Sequence, residues 1–392
     1  MSISTTKMKI CVMGLGHIGL PIACILANSG YSVLGVDHDA EVVQRIQSTS
    51  LVTSEPNLID LLKTAIASKN LTVSKYISSS EIYIIAVPTL LTIDNQPDLT
   101  CVFEAVDIVI PYLKPDNMVL ITSTCPIGTT ERIAQKLWMS CSEIFVAYCP
   151  ERALPSNIIH EIVYNDRIIG GVNELSSTKA LDFYKSFIKG ELQVTSAKTA
   201  EAVKLAENAY RDLNIAYANE LSMIADDVGL DTNELIKLAN QHPRVQILNP
   251  GVGVGGYCLA IDPWFLASSA SYSDTIISKA REINNKKTEW VIEKIREEIK
   301  NANATLIACL GLTYKANVSS IGNSNALEVV NILKKEINVL SVDPYVNDTI
   351  PLHEALINSQ IIVILVAHTE FLNISKHSLK DKVVLDFVGA LR

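Results

Sequence analysis

Lys9-Ile10-Cys11-Val12-Met13-Gly14-Leu15-Gly16-His17-Ile18-Gly19 is the stretch that decides the fold. Its apolar start predicts a strand over 9–13, and the glycine pattern opens onto a helical run reaching Ser29. A second apolar strand, Ser32 to Val36, then stops at an acid, Asp37. Strand, glycine turn, helix and strand make a βαβ unit. Each glycine answers a separate need there: Gly14 a tight turn, Gly16 close approach of backbone to ligand, Gly19 close packing of helix on strand.

Amides at the start of such a helix hold a diphosphate. A carboxylate placed 18 residues beyond Gly19 accepts from both ribose hydroxyls and repels a 2′-phosphate. The spacing therefore predicts a dinucleotide site that takes NAD rather than NADP.

Working outward, further apolar strands are expected at Ile82 to Val87, Met118 to Thr122, Glu143 to Ala147 and Arg167 to Gly170, with helical stretches between them. The first half thus reads as a parallel sheet wound with helices, a doubly wound α/β fold. Near Thr199 the pattern changes to long helical stretches, Ala200 to Val228 and Thr232 to Asn240. A glycine-rich loop at Asn249 to Tyr257 and a mostly helical stretch to about Ile299 follow. The alternation then returns, with strands at Thr305 to Leu310, Asn338 to Val342, Ile361 to Val366 and Lys382 to Phe387, and a helix at Ala326 to Lys335. Three domains are expected, 1–195, 196–300 and 301–392, the two α/β regions being related in layout but not in sequence.

The 392 residues exceed one ordinary core, and a 48% hydrophobic, 19% charged composition is that of a compact globular chain. A net charge of -9 without a dense Lys/Arg run argues against nucleic acid and anionic membrane surfaces as partners. No apolar run approaches the roughly 20 residues that span a bilayer, and Met1 to Lys9 lacks the apolar region of a signal peptide. A cytoplasmic protein is expected. The eight cysteines show no metal-ligand spacing, so neither a metal site nor a disulfide framework is expected.

One cysteine stands apart. Gly251-Val252-Gly253-Val254-Gly255-Gly256-Tyr257-Cys258 has four glycines in six residues, costly to order unless the backbone needs positive φ or close approach to a ligand. The loop delivers Cys258 to an expected helix start, where dipole and amides favour the thiolate, with Asp262 one turn further on. The other seven cysteines read as small buried hydrophobes. Lys204, Asn208, Arg211 and Ile215 fall along one face of the long helix; on spacing alone such a row reads as a solvated face.

These residues together resemble the UDP-glucose/GDP-mannose dehydrogenase family over nearly the whole chain. Gly14, Gly16, His17, Ile18, Gly19 and Asp37 resemble its NAD fingerprint; Val87-Pro88-Thr89 with Pro97-Asp98-Leu99 resembles the segment bordering the nicotinamide. Ser123-Thr124-Cys125-Pro126-Ile127-Gly128-Thr129-Thr130 is similar to a family motif that implies Thr124 lies near the reacting water or sugar oxygen. Tyr148-Cys149-Pro150-Glu151-Arg152 resembles the segment with the active-site glutamate, Glu151, and Val203 to Asn208 the spine whose lysine and asparagine fall on Lys204 and Asn208. Gly255-Gly256-Tyr257-Cys258 carries the nucleophile, and Asp262 is its acidic neighbour.

The resemblance implies two Rossmann-like doubly wound domains joined by a long central helix and a helical dimerisation domain. It implies NAD-dependent four-electron oxidation of the C6 alcohol of a UDP-sugar to the uronate, in a homodimer. Cys258, Lys204, Asn208, Asp262, Glu151 and Thr124 are then catalytic. Gly14, Gly16, His17, Ile18, Gly19, Asp37, Pro88, Thr89 and Thr124 bind the cofactor. Glu151, Arg152, Lys204, Asn208, Arg211, Arg244, Gly255, Tyr314 and Lys315 bind the substrate, Arg244 reaching across the dimer interface. No metal is implied.

Within the family, His242-Pro243-Arg244-Val245, Pro250-Gly251 and Ile261-Asp262-Pro263-Trp264-Phe265 look most like enzymes that act on UDP-N-acetyl-D-mannosamine. UDP-N-acetylglucosamine, UDP-glucose and a catalytically weak nucleotide-sugar binder are the alternatives. The weak binder is prompted by departures near the end: Ser319-Ser320-Ile321-Gly322-Asn323-Ser324-Asn325 stands where an acidic pair, an arginine, a serine and a proline are usual, with Gly322 at the arginine position. The final Asp386-Phe387-Val388-Gly389 also lacks the usual threonine.

Overall fold

A computed structural model describes residues 7–391 apart from 52, 54, 155 and 156. The outermost limits of the expected domains, Met1 and Arg392, lie outside the described residues. The chain forms two compact units, one ending at Ala206 and the other beginning at Glu207.

In the first unit the strands are β1 Lys9–Met13, β2 Ser32–Val36, β3 Leu71–Ser74, β4 Ile82–Ile85, β5 Leu90–Leu91, β6 Pro97–Asp98, β7 Met118–Ile121, β8 Phe145–Tyr148, β9 Arg167–Gly171 and β10 Leu192–Ser196. Eight of them form one sheet in the order β3-β2-β1-β4-β7-β8-β9-β10, and β5 and β6 make a separate hairpin. Helices cover both faces, which is why β4 and β7 are buried at every position and read as continuous apolar runs. The strand order reverses between β1 and β4, so the loops leaving their carboxyl ends diverge and open the crevice where ligands of such sheets bind.

The expected all-parallel sheet needs one correction, because β9 runs antiparallel to β8, with Tyr148 opposite Gly170 and Ala147 opposite Gly171. An apolar run reads the same in either direction, so hydrophobic pattern fixes a strand's existence and not its polarity. The edge strands β3 and β10 were missed for a related reason: Leu71-Thr-Val-Ser and Leu192-Gln-Val-Thr-Ser are too polar to stand out.

The second unit holds β11 Leu306–Leu310, β12 Asn338–Val342, β13 Ile361–Ile364 and β14 Val383–Asp386, all parallel, in the order β12-β11-β13-β14. Its cores lie on both faces of this sheet. The two α/β regions, expected to be related in layout, also share one local echo at the ends of their first two strands. Gly14-Leu15 after β1 and Val36-Asp37 at the end of β2 recur as Gly311-Leu312 after β11 and Val342-Asp343 at the end of β12.

The long helix runs Ala197–Asp227, alanine-rich and free of glycine and proline throughout its length. It stops where Gly229 turns left-handed (φ 70°) and the Leu230 amide reaches back to Ala225 O at 2.8 Å, a Schellman closure. Among the described residues no helix is long and apolar enough to cross a membrane.

Candidate active site

In the first unit, the turn after β1 shows what each glycine is for. Gly14 is left-handed (φ 87°), and a Cβ there would lie 2.6 Å from Ala86 O at the end of β4. A Cβ on Gly19 would lie 1.8 Å from Gly14 O, so the helix Gly19–Asn28 sits directly on the turn. Gly16 differs: no described residue stands within 4 Å of its Cβ position, leaving its backbone open to a ligand.

The helix has no side-chain cap and no acid in its first turn, as suits an anion at its amides. Asp37 Oδ2 accepts from Leu15 N at 2.9 Å and Oδ1 from Asp39 N at 3.0 Å; the side chain remains 13% exposed and retains lone pairs for hydroxyl donors. The exposed His17 and half-buried Ile18 complete the turn. Pro88 and Thr89 follow β4, and Thr124 follows β7, at the same carboxyl edge of the sheet. Ser123 Oγ ties these loops by donating to Val87 O at 2.7 Å. The open Gly16, the uncapped helix and the available Asp37 fit a dinucleotide.

Two features of the first unit were not foreseen. Glu201, fully buried on the long helix, accepts from Gly128 N at 2.6 Å, Thr130 N at 2.7 Å and Thr130 Oγ1 at 2.6 Å, and so fixes the loop that follows Thr124. Burial pushes its carboxyl upward against the pull of those donors. Glu151 is buried after β8, ion-paired with Arg167 of β9; its other oxygen accepts from Arg152 N at 2.8 Å. Desolvation alone would lower the Arg167 pKa, but the Glu151 charge overrides it and holds the guanidinium protonated. Arg167 also lies over the Tyr184 ring at 5.0 Å.

In the second unit the glycine-rich loop carries the cysteine. Gly253 needs both its φ of 113° and its lack of a side chain, since a Cβ would lie 2.4 Å from Thr288 Oγ1. Around it runs a buried network: Arg281 Nη1 donates to Asp212 Oδ1 at 2.7 Å, Asn284 Nδ2 donates to the same oxygen at 2.7 Å, and Asn219 Nδ2 donates to Asn284 Oδ1 at 2.9 Å. Asn219 in turn accepts from Gly251 N at 2.8 Å, and Thr288 Oγ1 donates to Val252 O at 2.7 Å. Burial raises the Asp212 carboxyl, and Arg281 with Asn284 opposes that shift.

Cys258 lies one turn before a helix rather than at its first residue. The helix is Asp262–Ala267, and the Cys258 carbonyl accepts from Ile261 N at 3.0 Å and Asp262 N at 2.8 Å. Asp262 is 3% exposed and accepts from Asn208 Nδ2 at 2.6 Å. Of the eight cysteines only Cys258 is exposed. Burial pushes the thiols of Cys11, Cys24, Cys149 and Cys309 up to about 12, and Cys125 well above its ordinary value.

Three models of the UDP-glucose/GDP-mannose dehydrogenase family match the chain in succession: the NAD binding domain over residues 8–188, the central domain over 198–286 and the UDP binding domain over 308–392. The chain belongs to this family. The UDP-N-acetyl-D-mannosamine dehydrogenase of Methanococcus vannielii is 43% identical over 396 residues, covering 96% of this chain and 92% of that protein. The enzyme of the same name from Methanocaldococcus jannaschii is 44% identical over 393 residues, covering 96% and 91%. The solved structure of a UDP-D-ManNAc dehydrogenase from Pyrococcus horikoshii superposes with a TM-score of 0.90 at 38% identity, over 98% of this chain and 96% of that one.

The remaining residues expected from the dehydrogenase family are distributed as follows. Lys204 is half-buried one helical turn before Asn208, and Arg211 is exposed on the same helix. Arg152 and Arg244 are exposed, the Arg244 amide donating to His242 Nδ1 at 3.3 Å. Tyr314 and Lys315 lie half-buried in the loop after β11, the Tyr314 ring against Gly256. Gly255 lines an open cleft of about 580 Å³ with Val254, Arg281, Asn323 and Asn325.

Proposed function

We propose that this member of the family oxidises the C6 alcohol of UDP-N-acetyl-D-mannosamine to UDP-N-acetyl-D-mannosaminuronate, a nucleotide-sugar building block of polysaccharides. The observation that carries the chemistry is Cys258: the one exposed cysteine of eight, on a loop whose glycines the packing requires. The sugar is supported by the relatives named for it at 43% and 44% identity.

Gly14, Gly16, His17, Ile18, Gly19, Asp37, Pro88, Thr89 and Thr124 would hold NAD, and two NAD molecules bound in turn would supply the oxidant, each accepting one hydride. Asp262 and Thr124 serve the water-mediated removal of the hydroxyl proton, while the Lys204 ammonium and Asn208 amide steady the developing oxyanion. Asn208 already donates to Asp262, so its amide is oriented before charge develops. The Cys258 thiolate adds to the aldehyde carbon to give a thiohemiacetal, whose oxidation gives a thioester. Water then displaces the thiolate and leaves the carboxylate. Glu151, held in place by Arg167, is assigned to assist that hydrolysis.

Arg152, Arg211, Arg244, Gly255, Tyr314 and Lys315 are assigned to the UDP-sugar, with Arg244 supplied across a homodimer interface formed by the helical middle. Domains of 1–195, 196–300 and 301–392 and a cytoplasmic location complete the reading.

An NADH-release assay over a panel of UDP-sugars tests it. UDP-N-acetyl-D-mannosamine should give two NADH per sugar and the fastest turnover, ahead of UDP-N-acetylglucosamine and UDP-glucose. Cys258→Ala should lose acid formation with NAD affinity unchanged; full acid production by that variant would remove the proposal.

A further inference from the structure

The loop that carries Cys258 and the segment around Gly322 and Asn323 are interlocked. Gly256 N donates to Asn323 O at 3.0 Å, and Asn323 Nδ2 lies 3.5 Å from Gly256 O. A Cβ on Gly255 would lie 2.1 Å from Asn323 O, so backbone meets backbone. Beside this contact, Gly322 faces Tyr257. A Cβ at position 322 would lie 2.1 Å from the Tyr257 hydroxyl oxygen and 2.8 Å from Cζ.

Gly322 is not among the left-handed glycines, so its backbone conformation does not call for glycine; space does. The ring that takes the space belongs to the residue immediately before the nucleophile. That ring is otherwise 57% exposed, so a side chain at 322 would swing it outward without breaking a core. The next glycine back, Gly256 (φ 85°), has the Tyr314 ring 2.9 Å from its Cβ position. The cysteine end of the loop is thus seated by one tyrosine on each of two neighbours.

We propose that Tyr257 and Gly322 are a coupled pair: Tyr257 occupies the volume that an arginine side chain would need at 322, and its seat on that segment positions Cys258. Tyr257 is then a positioning residue, and Gly322 is its partner rather than a lost cation. The physical reason is the loop's composition. Four glycines in six residues leave the backbone few side-chain anchors, and the torsions of residue 257 set the direction of the next Cα–Cβ bond. The proposal rests on Cys258 being the nucleophile.

A double-mutant cycle tests it with two readouts: iodoacetamide alkylation at Cys258 across pH, followed by peptide mass spectrometry, and kcat and KM for the UDP-sugar. Gly322→Arg and Tyr257→Ala should each change the alkylation rate and lower kcat by about tenfold with KM little changed, and the double variant should be no worse than either single one. Tyr257→Phe, which keeps the ring, should retain wild-type rates. Gly322→Ala adds one carbon and keeps the cycle usable if arginine prevents folding. Additive effects, or a rise in kcat or nucleotide affinity on Gly322→Arg, would overturn the pairing. Alkylation needs no substrate, so coupled alkylation in a chain that turns over no UDP-sugar would support the pairing and sink only the functional reading.

Discussion

The turns after β1 and β11 are built alike and used differently. Gly14 and Gly311 are both left-handed, at φ 87° and 99°, and each donates its N–H at 2.8 Å to the last residue of the neighbouring strand, Val36 or Val342. The following leucine amide then donates to the acid beyond that strand, Leu15 to Asp37 at 2.9 Å and Leu312 to Asp343 at 2.6 Å. There the likeness ends. Asp37 keeps an exposed edge, whereas Asp343 also accepts from His368 Nε2 at 3.1 Å and Tyr345 N at 2.8 Å and is sealed. Asn317 N donates to His368 Nδ1, so Nε2 carries the proton. Where the first turn has the open Gly16, the second has Thr313, fully buried against His368. One acid keeps an edge open with lone pairs to spare; the other uses its lone pairs to hold its own domain together.

The sharpest break of this comparison is Asp343→Ala. It strands His368 and the amides of Leu312, Thr313 and Tyr345 in a buried site and should cost about 3 kcal/mol, read by chemical denaturation, with NAD affinity unchanged. Asp37→Ala should do the reverse: unfolding nearly unaffected, and NAD affinity down by roughly 10- to 100-fold, the worth of a charge-assisted bond, with NADP no longer excluded. Calorimetric titration of both dinucleotides checks this.

A third test uses pH. Burial pushes the Asp343 carboxyl up, but His368 and the Leu312 and Tyr345 amides outweigh it, and the net shift is downward. An acid depressed in the folded state contributes stability above its unfolded pKa, about 3.9, and loses it as pH falls from there through the folded value. The stability gap between wild type and Asp343→Asn should therefore close in acid; a constant gap from pH 7 to pH 3 would refute the assignment. The smallest effect belongs to Glu336→Gln. Its carboxylate meets Arg296 at the surface, and the change should cost less than about 1 kcal/mol and still less in high salt.

Much of this was legible in the chain. The strands β1, β2 and β12 lie where the apolar runs put them, and the long helix begins three residues before the expected Ala200. What stayed hidden shares one property: it joins residues distant in sequence. Glu151 meets Arg167, Glu201 meets Thr130, and Arg281 meets Asp212 across 16, 71 and 69 positions. Apart from Glu151, which its motif singles out, each of these acids and bases taken alone looks like an ordinary surface charge.

Gly14 to Gly19, Asp37 and the loop ending at Cys258 were determined by the sequence itself, because glycine geometry and a strand-end acid act through neighbours along the chain. Only tertiary structure decided which of two similar acids stays open, which strands run backwards, and why glycine stands at 322. Those depend on who shares the space: a His368 from β13's loop, a β8 lying alongside β9, a Tyr257 ring over Gly322. Local pattern carries no record of such distant company, since packing contacts have no fixed separation in sequence.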